Sequence, residues 1–301
     1  MTCRLIGIRS KQSLADTLKI DLKDLKKISA DPKKHFREFT DNSKGKPRQC
    51  QEPRPQLKRI HTQLKVLLSF IQPPDYVYSG RKKLCYVDNA RIHIGNSRMT
   101  KMDISKFYQS CRREYIYRFF VDKIKMSHDT AEILTNISTF NGHIPTGSPV
   151  SQILAFLIHQ DIFDTINSYA KKNGLTFSLY VDDLCFSGNT HLINSKLSVY
   201  INSLLKTKSL KLNRKKIITY GPNKEKLITG CIIDKNENLS APDKLKKKIF
   251  QHIRTQNGNV DKISEENIRS TFGRVQAVKQ IEGKFVFQNL HNNLLSELQK
   301  I

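Results

Sequence analysis

The sequence predicts an α+β protein with sheet and helices partly segregated, and three observations carry that expectation. Apolar residues recur at helical spacing over 13–29, 55–71 and 149–171. Short strand-like runs, rich in β-branched and aromatic residues, stand apart from these at 175–188, 216–220 and 227–233. From 242 onward only helical patterns remain, at 242–256, 264–281 and 285–300. Separated strands mixed with runs of helices fit α+β better than a regular βαβ alternation. With 301 residues the chain is long enough for one large core or two to three subdomains.

In chain order, Leu14, Leu18, Leu22 and Leu25 fall on one face of a helix over 13–29. The stretch "DNSKGKPRQCQEPRP" is a basic loop or hairpin, and Pro55 is placed to open the next helix. That helix carries Leu57, Ile60, Leu64, Leu67, Leu68 and Ile71 as a core-facing stripe, and Pro73 and Pro74 stop it. After a short apolar piece at Leu84 to Val87, "RMTKMDISKFYQSC" reads as a strand that ends at Asp103 and turns into a helix. Pro149 opens a helix running to about 171. A strand interrupted by Asp182 and Asp183 follows, then a helix near 191–206. No internal repeat or low-complexity block is present.

Lys and Arg number 52 against 27 Asp and Glu, a net charge of +25. Such a surplus repels itself unless a polyanion offsets it, and nucleic acid is the first candidate. The basic runs "KTKSLKLNRKK" and "DKLKKKIF" point the same way, with Lys215, Lys216, Lys246 and Lys247 as candidate phosphate contacts. The start of the chain has no apolar signal core, and its longest apolar clusters are far short of a membrane span, so a cytoplasmic protein is expected. The six cysteines are scattered singly, without the spacing of a zinc site or a disulfide framework.

Within "LTFSLYVDDLCFSG" two aspartates interrupt an alternating apolar strand. Asp is a poor strand former, so the pair is either a hairpin turn or a site that needs negative charge. A favoured two-residue turn would carry glycine, and this pair has none. Asp103 also stands where a strand ends. If the two strand ends lie side by side, Asp103 and Asp182 can share a pair of Mg²⁺ ions, with Mn²⁺ as a substitute, for phosphoryl transfer. No Walker A loop, zinc-binding His pair or Ser-His-Asp arrangement is evident.

Taken together, "YVDD" and "DISKFYQS" resemble the palm of a reverse transcriptase, and further stretches resemble the bacterial retron enzymes. These are "KGKPRQCQEPRPQLKRIH", "DNARIHIGN", "GHIPTGSPVSQILA", "KLITGCIID" and "GRVQAVKQIEG", in family order from about residue 44 to 283. The resemblance implies a right-hand polymerase fold. Residues 1–43 would be an N-terminal helical segment and 44–98 fingers, continued in 112–150. The palm would span 99–233 and a helical thumb 234–301.

By the same resemblance Asp103, Asp182 and Asp183 are catalytic and, with the Ile104 carbonyl, hold the metals. Lys46, Arg48, Tyr108, Thr146 and Gly147 would meet the dNTP, Tyr108 as a gate against the ribose 2′-OH. Asn89, His93, Thr229 and Gly230 would organise or contact nucleic acid. Many relatives carry Pro-Gln-Gly where this chain has Pro145-Thr146-Gly147, which puts the fine positioning of dNTP in question. The implied activity is RNA-directed DNA synthesis from a structured non-coding RNA, primed at a guanosine 2′-OH to give branched RNA–DNA. The implied setting is antiphage defence with a separate effector protein. A compact reverse transcriptase of another type, or an RNA- and effector-binding scaffold, are the alternatives.

Overall fold

Helix α1 (Lys11–Leu18) starts where the Ser10 hydroxyl accepts the Ser13 amide at 3.0 Å. It stops at Lys19, whose left-handed backbone (φ 58°) returns its N–H to the carbonyls of Ala15 and Asp16. Asp21 then caps α2 (Leu22–Ala30) by accepting the Lys23 amide at 2.7 Å. The single helix expected over 13–29 is therefore two, because a C-cap and an N-cap fall inside one apolar stripe. The computed structural model describes residues 3–43, 45, 47–254, 264–284 and 286–300.

Strands β1 (Phe36–Asp41) and β2 (Arg48–Pro53) form an antiparallel hairpin, and α3 (Pro55–Leu68) opens on Pro55. The apolar piece at 84–87 leads into a short helix, α4 (Tyr86–Arg91). Strand β3 (Arg98–Asp103) ends at its aspartate and turns into α5 (Phe107–Ser110). Helices α6 (Arg113–Arg118) and α7 (His128–Ser138) fill a stretch the apolar pattern left unassigned. The helix expected over 149–171 is α8 (Ser151–Ile158) and α9 (Gln160–Lys172), interrupted at the buried His159.

Next come β4 (Thr176–Tyr180), β5 (Asp183–Gly188), α10 (Ser195–Lys206) and β6 (Ile218–Tyr220). The strand expected at 227–233 is a hairpin, β7 (Lys226–Ile228) and β8 (Cys231–Ile233), followed by β9 (Leu239–Ser240). Helices α11 (Asp243–Arg254), α12 (Glu265–Glu282) and α13 (Gln288–Lys300) close the chain order.

The chain divides into two compact units. The first comprises Met1–Asp75, Asp103–Tyr169 and Ser198–Lys215. In it α3 packs on β2 and α8, and α2 packs on α7. Leu57, Leu64 and Leu68 are fully buried, each worth about 1.5–3 kcal/mol of transfer free energy.

The second unit comprises Tyr76–Met102, Ala170–Leu197 and Lys216–Ile301. Its larger sheet has the strand order β4-β5-β3-β6, and its smaller sheet β7-β8-β9. One core joins Val87 and Ala90 of α4, Met99 and Cys185 of the larger sheet, Ile228 and Ile233 of the smaller, and Ile249, Val275 and Leu294 of α11 to α13. Among the described residues no helix is long and apolar enough to cross a membrane.

Candidate active site and nucleic-acid interface

The β4–β5 hairpin pairs Tyr180 directly with Asp183. The two-residue turn is thus Val181-Asp182, not the aspartate pair, and Asp183 already belongs to the ladder. Val181 has φ 60°, a left-handed conformation that costs a β-branched residue about 1–3 kcal/mol. Its amide donates to the Ser79 hydroxyl at 3.0 Å. Asp182 and Asp183 are half-buried, and Leu184, Cys185 and Phe186 behind them are buried. Burial, aided by the neighbouring Asp183 charge, pushes the Cys185 thiol well up, so it stays protonated.

Strand β3 lies between β5 and β6, with Met99, Thr100 and Met102 buried. The Thr100 and Thr219 hydroxyls meet at 2.9 Å across β3 and β6. Asp103 ends the strand at 8% exposure, and its carbonyl accepts the Asn213 amide at 2.7 Å. Beyond it Ile104 bridges to Leu212, and the Ser105 amide donates to the Lys211 carbonyl at 2.8 Å. Phe107 is buried against Phe163, whereas Tyr108 is half-buried.

Among the described residues no three His, Cys, Asp or Glu side chains gather closely enough to cage a cation. A Mg²⁺ site does not require such a cage. That ion is usually held by one or two carboxylates and completes its shell with water and substrate phosphates.

Asn89, His93, Thr229 and Gly230 are organised around α4. Thr229 (φ 43°) and Gly230 (φ 90°) form the two-residue turn between β7 and β8, with positive φ at both positions. The Thr229 hydroxyl donates to the Tyr86 carbonyl at 3.0 Å and accepts the Asn89 amide at 3.3 Å. The Asn89 Oδ1 is buried and has no partner among the described residues. His93 sits between two hydroxyls of the β4–β5 hairpin, Ser187 at 2.6 Å and Ser178 at 2.8 Å. Burial drives its pKa down to about 3, so the ring is neutral. Nothing in the residue pattern announces these serine partners.

Lys46 lies outside the described residues. Arg48 is exposed at the start of β2. The Thr146 amide donates to the Gln51 Oε1 at 3.2 Å and the Gly147 amide to the Gln51 carbonyl at 3.1 Å. Gln51, 6% exposed, therefore fastens the Pro-Thr-Gly loop to β2, a role sequence reasoning missed. Next in the loop, Ser148 Oγ meets His61 Nδ1 at 2.6 Å, and His61 Nε2 donates to the Ile137 carbonyl at 2.7 Å. Burial lowers the His61 pKa to about 4, against a smaller opposing effect of that carbonyl.

Lys215 and Lys216 are exposed on the turn before β6, and Lys247 is exposed on α11. Lys246 instead pairs with Glu282 at 2.7 Å. Burial opposes the Glu282 charge, but Lys246 and the Ala241 amide outweigh it and hold the carboxyl below its ordinary range.

The model of the family "Reverse transcriptase (RNA-dependent DNA polymerase)" matches residues 15–233, well over half of the chain. The chain belongs to the reverse transcriptase family. Similar curated proteins are retron reverse transcriptases. That of retron Ec86 from Escherichia coli is 25% identical over 206 residues, covering 67% of this chain and 64% of that protein. That of retron Se72 from Salmonella heidelberg (strain 579083-10) is 26% identical over 215 residues, covering 69% and 57%. The chain thus spans less than two thirds of the length of either relative.

Among solved structures, telomerase from Candida albicans in complex with a TWJ fragment of telomeric RNA aligns with TM-score 0.52. It is 8% identical and covers 87% of this chain and 56% of that one. Apo telomerase from Candida tropicalis aligns at 0.50, with 9% identity, 86% and 61% coverage. At these identities the likeness shows the fold alone, and that fold is the reverse transcriptase one.

Proposed function

We propose that this reverse transcriptase family member copies part of a structured non-coding RNA into DNA, with priming from a guanosine 2′-OH and a branched RNA–DNA product. The observation that carries the reading is the sheet order: β3, which ends at Asp103, is the direct neighbour of β5, which begins at Asp183. Asp103, Asp182 and Asp183, with the Ile104 carbonyl, would hold two Mg²⁺ ions, for which Mn²⁺ could substitute. When bound, such ions activate the attacking hydroxyl and stabilise charge on the departing pyrophosphate.

The chain's own residues supply the rest. Lys46 and Arg48 meet the triphosphate, Arg48 through a planar fork suited to phosphate oxygens. Tyr108 excludes the ribose 2′-OH, while Thr146 and Gly147 line the dNTP site from a loop that Gln51 anchors. Asn89 and His93 order α4 against the Thr229-Gly230 turn and the catalytic hairpin, and so organise the surface that would meet RNA rather than touching it themselves. Lys215, Lys216 and Lys247 would contact phosphates, fixing position rather than sequence; Lys246 would do so only by leaving Glu282. We divide the chain into an N-terminal helical segment (1–43), fingers (44–98 and 112–150), palm (99–233) and thumb (234–301). The similarity to retron enzymes supports a cognate RNA partner, a cytoplasmic setting, and a role in antiphage defence through a separate effector protein.

The test is the nucleic acid that co-purifies with the protein from cells carrying its gene and flanking DNA. After RNase, a discrete small DNA should shift on a denaturing gel when a debranching enzyme is added, and Asp182→Asn should abolish it. Extension of a generic primed RNA without any such DNA would keep reverse transcription and reject 2′ priming. Loss of both would favour a binding scaffold.

A further inference from the structure

We infer that Ser79 is a positioning residue for the catalytic hairpin, holding the strained turn residue Val181 so that Asp182 points to the metals; this rests on Asp182 being a metal ligand. In a two-residue hairpin the ladder bonds engage only the flanking pair, here Tyr180 and Asp183. The amide of the first turn residue is left over, and in this chain it donates to Ser79 Oγ at 3.0 Å. That turn position favours glycine because its φ is positive, yet it carries Val181 at φ 60°. A β-branched residue stays there only if something outside the turn over-determines it.

Ser79 is itself fixed. The segment before it runs parallel to β4, where the Leu179 amide donates to the Tyr76 carbonyl at 2.8 Å and the Tyr78 amide to the Leu179 carbonyl at 3.0 Å. Tyr76 and Val77 are buried, and Gly80 (φ 71°) turns the chain away immediately after Ser79. The serine hydroxyl is thus set against the hairpin tip by backbone pairing rather than by its own side-chain freedom. Without it, Val181 relaxes toward negative φ and the carboxylate one residue later swings with it.

The experiment is a Mg²⁺ titration of primer extension by the purified full chain on oligo(dT)-primed poly(rA), with urea midpoints recorded for every variant. Ser79→Ala should raise the Mg²⁺ concentration for half-maximal extension by about tenfold, the scale of one lost hydrogen bond in a partly buried site. Val181→Gly removes the strain, so adding Ser79→Ala to Val181→Gly should move the half-point by less than about twofold. A residue that only stabilised the fold would shift the urea midpoint and leave the Mg²⁺ curve in place, which would overturn the inference. An equal Mg²⁺ shift from Ser79→Ala in both backgrounds would also overturn it, even if Ser79→Ala alone folds poorly. Asp182→Asn separates the two levels. Normal extension by that variant removes the metal-ligand reading itself. Its inactivity beside an unmoved Ser79→Ala curve removes only the role of Ser79.

Discussion

Lowering the pH from 7.5 to 5.5 should destabilise the protein by about 4 kcal/mol, through three buried histidines. Burial holds His93 at about 3 and His61 and His159 at about 4. His159 feels a smaller upward pull from Asp161 and a downward push from Lys208. In the unfolded chain all three titrate near 6.5. A depressed folded pKa means that full stability is present above 6.5. Below it the unfolded state binds protons that the native state refuses, and stability falls until the pH reaches the folded values. At pH 5.5, about one unit below the unfolded pKa, each ring contributes a loss of between about 1 and 2 kcal/mol.

Urea unfolding at fixed ionic strength across this range measures the slope, since ΔG extrapolates linearly in denaturant. The exchange of His93 for Gln lowers stability at every pH but should remove about one third of the pH slope. A stability that stays flat from pH 7.5 to 5.5, or a slope unchanged in that variant, would refute the assignment of neutral buried rings.

Other outcomes follow from single contacts. Gly147→Ala places a Cβ 2.9 Å from the Gln51 carbonyl oxygen and 3.3 Å from the Glu52 Cα, both backbone. It should cost about 1–3 kcal/mol in a denaturation series and raise the KM for dNTP. Tyr108→Ala should relax rejection of ribonucleotides in single-nucleotide incorporation; unchanged selectivity would remove the gate assignment. Lys247→Ala should weaken RNA binding in a filter assay and reduce its salt slope by about one. Lys246→Ala should instead destabilise the fold by about 1–3 kcal/mol, because it strands a carboxylate that is only 7% exposed.

The acidic residues were legible because aspartate is costly within an apolar strand, so Asp103 and the pair at 182–183 marked strand ends without any structure. The exact turn was not legible. A preference for glycine in short turns argues against Val181, and the Ser79 hydroxyl that meets its amide lies about a hundred residues earlier in sequence. The break in the first helix was hidden for a related reason: Lys19 adopts a left-handed cap that its residue type does not announce. His93 illustrates long-range chemistry, for its serine partners lie 85 and 94 residues away. Gln51 was overlooked because the cations beside it drew the reading toward phosphate.

The edges of the larger sheet have a consequence for behaviour at high concentration. One edge strand, β4, is already occupied by the run ending at Ser79, which takes up Leu179 backbone groups. The opposite edge strand, β6, is three residues long, follows Arg214, Lys215 and Lys216, and gives way at once to Gly221 and Pro222. A short, cationic, proline-ended edge is a poor template for strand addition by another chain. Many copies crowded together at high concentration would therefore resist coalescing sheet to sheet.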